Sequence, residues 1–395
     1  MKSKLLLVGV LLVMLLVACQ PAPTPAPAEP AKPAEPAAPT EPPAPAPTEP
    51  PAPTEPPAPA EPAKPELVTL RFGNMPYLDY GPWIVAEKMG YLEEQGIKLE
   101  TTMFEVEQPL IEAMLGGSID AAAGADSPFI MLAPQSKDKL LMVSVHSLFT
   151  GYSIMGRPDQ VKTYDQFIAE GKTPEEALAE AAKQLKGKTI ILPGGASFYP
   201  VLDTALGYAG LTKDDLKIVD MDPVEGAAAF LQGTGDFYSD GLPQRFRLEQ
   251  EGMVNVLTGV QMGGGAMDTA GLYVTKELYE KQPEVVYGLL KAWYKAVDHV
   301  KQKPDEAIPM MIDWINEMSG AGMTVDDGKR FLTDLVLFPT YDEVGEWFFT
   351  EGSPYYWPER LSFVKAYNEA SGTDYSGVDL DAMIPAATVY PKVKP

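Results

Sequence analysis

The chain has 395 residues, 45% of them hydrophobic, which is enough apolar material for a sizeable core or for two lobes. Its formal net charge of −24 leaves no basic face to neutralise phosphates, and this argues against a nucleic-acid partner. One cysteine and two histidines, His146 and His299, exclude an internal disulfide and any metal site built on imidazole and thiolate.

The first residues read as a targeting segment. Lys2 and Lys4 precede an apolar run, LLLVGVLLVMLLVA, that is short and one-sided for a membrane span. The run ends in Leu16-Val17-Ala18-Cys19, which resembles the lipobox of bacterial lipoproteins. That resemblance implies a signal peptide at 1–18, removed before Cys19, and a lipid on Cys19 that anchors the chain outside the cytoplasm. Residues 19–66 then form a tether with PAPTEP at 45–50 and again at 51–56, and half of the chain's 40 prolines lie here. Such a stretch lacks side chains for a core, and proline holds it near polyproline II. Fully extended, it reaches on the order of 140 Å, so the folded part is held off the membrane but confined near it.

From Leu67 the texture changes. Residues 68–73 (VTLRFG) alternate as a strand, Asn74 to Tyr80 form an aromatic and polar loop, and Pro82 opens a helix, WIVAEKMGYLEEQG, that Gly96 closes. After a second strand at 97–104 comes the stretch EVEQPLIEAMLGGSIDAAAGADSPF. Leu110, Ile111, Met114 and Leu115 recur at helical spacing, Gly116-Gly117 gives a stop where positive φ is cheap, and residues 119–123 read as a buried strand of small residues. Ser127 as N-cap and Pro128 at the first helical position predict a new helix at the strand's carboxyl end. Free N–H groups, a hydroxyl and a positive dipole end there could hold a ligand oxygen. A further strand is read at 140–145, and the βαβα alternation favours a parallel sheet flanked by helices.

Residues 158–186 read as a charged surface helix with Thr173 as cap and Pro174 in the first turn, packed outside the second lobe. The strand–loop–helix pattern then recurs as LKGKTIILPGGASFYPVLDTALGYAGL, with Ser197 as N-cap. Gly194-Gly195 serve either ligand approach or the turn alone. Beyond lie a strand at 217–221, the helix PVEGAAAFLQG, the strand-like DFYSDG, and a helix from Pro243 that carries Arg245 and Arg247. Gly263 to Asp268 reads as a crossing or hinge loop, and GLYVT at 271–275 as a strand returning to the first lobe. The remainder is mostly helical, with Trp293 and Tyr294 as core.

These motifs, EQPLIEAMLGGSIDAAAGADSP, LKGKTIILPGGASFYPVLDTALGYAGLTKDDLKIVDMDP and EGAAAFLQGTGDFYSDGLP, resemble the solute-binding proteins of nitrate, sulfonate, taurine and thiamine-pyrimidine ABC importers. The similarity runs from Leu67 to Lys303. It implies an α/β type II periplasmic-binding-protein fold with two lobes and a hinge: 67–155 in lobe 1, 156–264 in lobe 2, and 265–395 returning to lobe 1 with the C-terminal helices. It also implies a monomer that delivers a small solute to a permease driven by a separate ATPase, with no cofactor, no metal and no catalytic residues. Carried over, the ligand positions are Asn74, Tyr77 and Tyr80 in the first loop, Asp126 and Ser127 in the second, Ser197, Phe198 and Tyr199 in the second lobe, and Asp240 nearer the hinge.

The chain departs from the family at GGASFY, where sulfonate and taurine binders commonly have a glycine–serine–threonine-like run, and at DFYSDG. The only basic residue read near the first-lobe loops is Arg71, so a bound nitrate or sulfonate has helix dipoles and Arg245 to rely on. Tyr77, Tyr80, Phe198, Tyr199 and Tyr238 either stack on a flat heteroaromatic solute, such as a riboflavin-like vitamin or a thiamine pyrimidine, or pack between the lobes. A relative of this fold makes the thiamine pyrimidine with a histidine and a cysteine-rich motif that this chain lacks, which weighs against an enzyme.

Overall fold

The computed structural model describes residues 67–136, 139–194 and 197–395. The apolar leader, Cys19 and the proline-rich tether lie outside the described residues, as does Gly195 of the second glycine loop. Among the described residues no helix is long and apolar enough to cross a membrane.

Two sheets form the scaffold. The first contains β1 (Val68–Asn74), β2 (Ile97–Met103), β3 (Ala121–Ala125), β4 (Leu140–Met142) and β5 (Ser147–Phe149). The second contains β6 (Ser153–Gly156), β7 (Thr189–Leu192), β8 (Lys217–Asp220), β9 (Phe237–Asp240) and β10 (Val254–Thr258). The chain then returns to the first sheet with β11 (Asp268–Thr275) and the short β12 (Val336–Leu337). The strand orders are β12-β5-β11-β3-β1-β2, with β4 beside β11, and β10-β6-β9-β7-β8. The expected parallel core is present, since β1 pairs in parallel with β2 and β3, and β7 with β8 and β9. Both sheets are nonetheless mixed: β11 runs antiparallel to β3, and β6 runs antiparallel to β9 and β10. The chain crosses between sheets twice, at 150–152 and at 259–267, and such paired crossings let two lobes turn against each other.

β3 is AAAGA and every residue is buried. Small residues there make room for rings: a Cβ at Gly124 would sit 2.3 Å from the Tyr273 ring. The predicted strand at 119–123 therefore lies two residues later, where β11 can lay Tyr273 against it. The helix expected from Pro82 is two helices, Gly81–Lys88 and Tyr91–Glu94, because Gly90 adopts φ +74° between them. The helix after β3 begins at Asp126, so Ser127 lies inside its first turn and does not cap it. Residues 158–186 hold two helices, Tyr164–Ala169 and Pro174–Lys183. Thr173 accepts from Glu176 N in a capping box, and Ala177, Leu178, Ala181 and Ala182 are buried. The space above Gly194 is taken by Asp220, whose Oδ1 accepts from Gly194 N at 2.6 Å. Glycine is needed there for a side chain of the neighbouring strand, a role the turn-or-ligand alternative did not contain.

The core runs through both lobes. Trp293 and Tyr294 are buried as expected, and Trp293 stacks on His146 at 4.1 Å. Tyr238 is also core: it stacks on Phe230 and donates to Pro223 O and Asp240 Oδ2 inside the second lobe. The glycine run before Asp268 is partly ordered as a short helical turn, Gly264–Ala266. The C-terminal helix Trp357–Ala370 touches both lobes, with Arg360 bonded to Asp126 and the Tyr367 hydroxyl donating to Asp203.

Candidate functional site

A cavity lies where the two lobes meet. From the first lobe it is lined by Tyr77, Asp79 and Tyr80 of the turn after β1, Glu107 at a helix start, Ala125 at the end of β3, and Phe149. β11 adds Asp268, Thr269 and Ala270, the first crossing adds Tyr152, and the second lobe adds Ser197, Phe198 and Gly241. The cleft is narrow, a cavity of about 20 Å³. A drug-sized ligand fills a pocket of at least about 300 Å³, so the lobes must part to admit one.

The walls are aromatic. Tyr77 and Tyr80 meet edge-on at 6.3 Å, Phe149 meets Tyr152 at 4.8 Å, and Tyr152 meets Phe198 of the opposite lobe at 5.8 Å. The polar groups are acidic. Glu107 takes a hydrogen bond from the Tyr80 hydroxyl at 3.4 Å, and burial pushes its carboxyl up to about 7. Burial also pushes Asp79 up to about 7, with Glu107 and Asp268 adding to the effect. No basic side chain lines the cavity among the described residues.

Behind this wall one guanidinium closes a buried network. Arg360 donates to Asp126 Oδ2 at 2.7 Å, to Asp126 Oδ1 at 3.0 Å and to Asp268 Oδ1 at 2.8 Å. The Ser127 hydroxyl donates to Asp268 Oδ1, Tyr152 to Asp268 Oδ2, and Thr269 to Asp126 Oδ2, each at 2.8 Å. Asp268 is held above the usual carboxylate range by burial and by Asp126, with Arg360 pulling the other way.

Of the residues singled out in the sequence, Tyr77, Tyr80, Ser197 and Phe198 come together in the cavity. Asp126 and Ser127 sit in the Arg360 network and do not line it. Asn74 is buried, with its Oδ1 accepting from Met75 N at 2.9 Å, a local turn. Tyr199 lies under the Lys213 ammonium, on the outer side of the second-lobe helix. Asp240 accepts from Tyr238 and from Gly241 N at 2.7 Å, one residue from the cavity, and burial raises it to about 7. Arg245 pairs with Glu249 at 3.0 Å and donates to Gly151 O at 3.0 Å, so it braces the first crossing. Arg71 is a surface residue paired with Asp120. Sequence reasoning did not single out Asp79, Glu107, Phe149, Tyr152, Asp268 or Arg360. The first two stood inside the stretches already marked as loop and helix start, and Asp268 closed the glycine run.

Residues 63–316 match the family model of the NMT1-like family. The riboflavin-binding protein RibY of Chloroflexus aurantiacus is 25% identical over 323 residues, which cover 80% of each chain. Among solved structures, the periplasmic aliphatic sulphonate binding protein SsuA from Escherichia coli superposes with a TM-score of 0.58 at 19% identity, covering 82% of this chain and 98% of that one. The periplasmic nitrate-binding protein NrtA from Synechocystis PCC 6803 gives 0.59 at 14% identity, covering 83% and 89%. The chain belongs to the NMT1-like family and has the type II periplasmic-binding-protein fold.

Proposed function

We propose that the chain is the extracytoplasmic solute-binding component of an ABC importer, and that it captures a small organic solute with a flat ring between its lobes. The observation that carries this reading is the interlobe cavity walled by Tyr77, Tyr80, Phe149, Tyr152 and Phe198 and lined, among the described residues, by no basic side chain. Rings offer faces to stack on, and nearby hydroxyls and carboxyls fix the edge of a planar molecule. A riboflavin-like vitamin or a thiamine pyrimidine suits such a slot, and the riboflavin-binding name of a relative at 25% identity points the same way. A sulfonate, taurine or nitrate suits it less, because its charge would face Asp79 and Glu107. In this reading the role is capture rather than catalysis, with Asp126 and Asp268 held by Arg360 as part of the frame of the cleft.

In this reading Cys19 carries the lipid, the proline-rich segment is the tether, and the partner is a permease with its own ATPase. The protein works as a monomer whose closed form is favoured by the solute. Equilibrium dialysis of the purified protein against riboflavin and a thiamine pyrimidine tests it. Saturable retention of a ring compound, weakened about tenfold or more by Tyr80→Ala, supports the reading. Retention that Tyr80→Ala leaves intact would move the site elsewhere.

A further inference from the structure

We propose that the solute of this cleft is a planar cation, with an amidinium, guanidinium or protonated amino-heteroaromatic group seated between Asp79 and Glu107. The inference rests on the importer reading and names the class of solute for that same site.

Four buried carboxyls stand around the cleft, and they are not equally served. Asp126 and Asp268 share the Arg360 guanidinium and three hydroxyl donors. Asp79, 7% exposed, has no hydrogen bond or counter-ion from the side chain of any other described residue. Glu107, 8% exposed, has the Tyr80 hydroxyl at 3.4 Å, a long contact for an O–H donor, and the backbone N–H groups of Glu107 and Ala125, but no cation. Both open onto the cavity beside Tyr77 and Tyr80, where Asp268, the third carboxyl of the lining, already has Arg360. A buried carboxylate without a counter-ion is costly, and burial raises each of the two to about 7 despite their backbone hydrogen bonds. An arriving cation supplies the missing partner.

An independent feature lies on the facing lobe. The Ser197 hydroxyl is 3% exposed and lines the cavity; it lies against Asp268, whose carboxyl it helps to lower, and it takes no hydrogen bond from any described residue. It is placed to accept from an N–H of a solute held against the first lobe. The aromatic walls act in the same sense, because ring faces attract cations and a dry setting strengthens that attraction. A planar cation therefore meets two carboxyls, an open hydroxyl and ring faces.

The test is isothermal titration of the purified protein at about pH 8 with benzamidine and with its neutral isostere benzamide, with riboflavin run alongside. Benzamidine is expected to bind about tenfold or more tightly than benzamide, and Asp79→Asn with Glu107→Gln should erase most of that preference. Both substitutions remove a buried charge without changing volume, and thermal melting checks that the variant folds. Ser197→Ala, which leaves the acidic pair intact, should weaken benzamidine by a smaller factor. Equal binding of the two isosteres, or no binding of benzamidine, overturns the charge assignment. Binding of riboflavin without benzamidine overturns it while leaving the importer reading in place.

Discussion

Arg360 donates to Asp268 Oδ1 at 2.8 Å while the same guanidinium holds Asp126, so two carboxyls from different elements depend on one residue of the C-terminal helix. Removing one partner of a buried pair leaves an uncompensated charge, which costs about 3–5 kcal/mol. Arg360→Met should therefore lower the unfolding free energy by about that amount in urea melts. Adding Asp126→Asn and Asp268→Asn to it should restore most of the loss. A variant that melts like the parent would mean that the network is incidental.

Stability should rise on mild acidification. Asp79, Glu107 and Asp240 each titrate near 7 when folded, well above an ordinary carboxyl of about 4. Between those values the folded state holds protons that the unfolded state has released, so their stabilising contribution is present at low pH and lost as pH rises through about 7. His146 opposes this: its folded value near 3 means that the unfolded chain takes up a proton below about 6.5. Asp268 faces Asp79 and Glu107 and raises both further. Three carboxyls outweigh one histidine, at about 1.4 kcal/mol per pH unit for each net proton. Melting temperature should climb from pH 8 to pH 6, and Asp79→Asn should flatten that climb. A melting temperature that falls over the same range would contradict the burial of these carboxyls.

Two glycines should respond to alanine to very different degrees. At Gly271 a Cβ would lie 1.9 Å from Ser144 O, a backbone atom that cannot step aside, so Gly271→Ala should cost several kcal/mol, about 3 or more. At Gly117, φ is +77° but nothing lies within 4 Å of a Cβ, so the cost there is backbone strain of about 1 kcal/mol. Denaturant midpoints of the two variants give the comparison directly. Similar midpoints would contradict the tight approach of β11 to the segment after β4.

Phe198 comes from the second lobe and meets Tyr152 of the crossing at 5.8 Å, so its ring counts only when the lobes are together. Phe198→Leu should weaken a ring-bearing solute by about tenfold while costing less than about 1.5 kcal/mol of stability. Paired titration and melting experiments separate the two. A large loss of stability with unchanged affinity would assign Phe198 to the core.

The local pieces of this site were legible, and their assembly was not. Alternation at β1, the small-residue run at β3 and the repeated glycine loops announced strands with helices at their carboxyl ends, and the structure has them within about two residues. Ser197 and Phe198 were legible because they open a helix directly after such a strand. Ser127 was misread as a cap because its hydroxyl answers Asp268, 141 residues away, rather than its own helix. Arg360 could not be read at all: it meets Asp126 across 234 residues and lies beyond the stretch that resembles the family. Tyr238 looked like a cleft residue, but strand alternation turns it into the second-lobe core against Phe230.

The most direct test is a thermal-shift panel on the purified protein with riboflavin, a thiamine pyrimidine, taurine, an alkanesulfonate and nitrate. A solute present at 100 times its Kd adds about 2.7 kcal/mol to the folded state, which reads as a higher melting temperature. The acidic, aromatic cleft predicts a rise with a ring compound and none with the anions. A rise with taurine, the sulfonate or nitrate would contradict it.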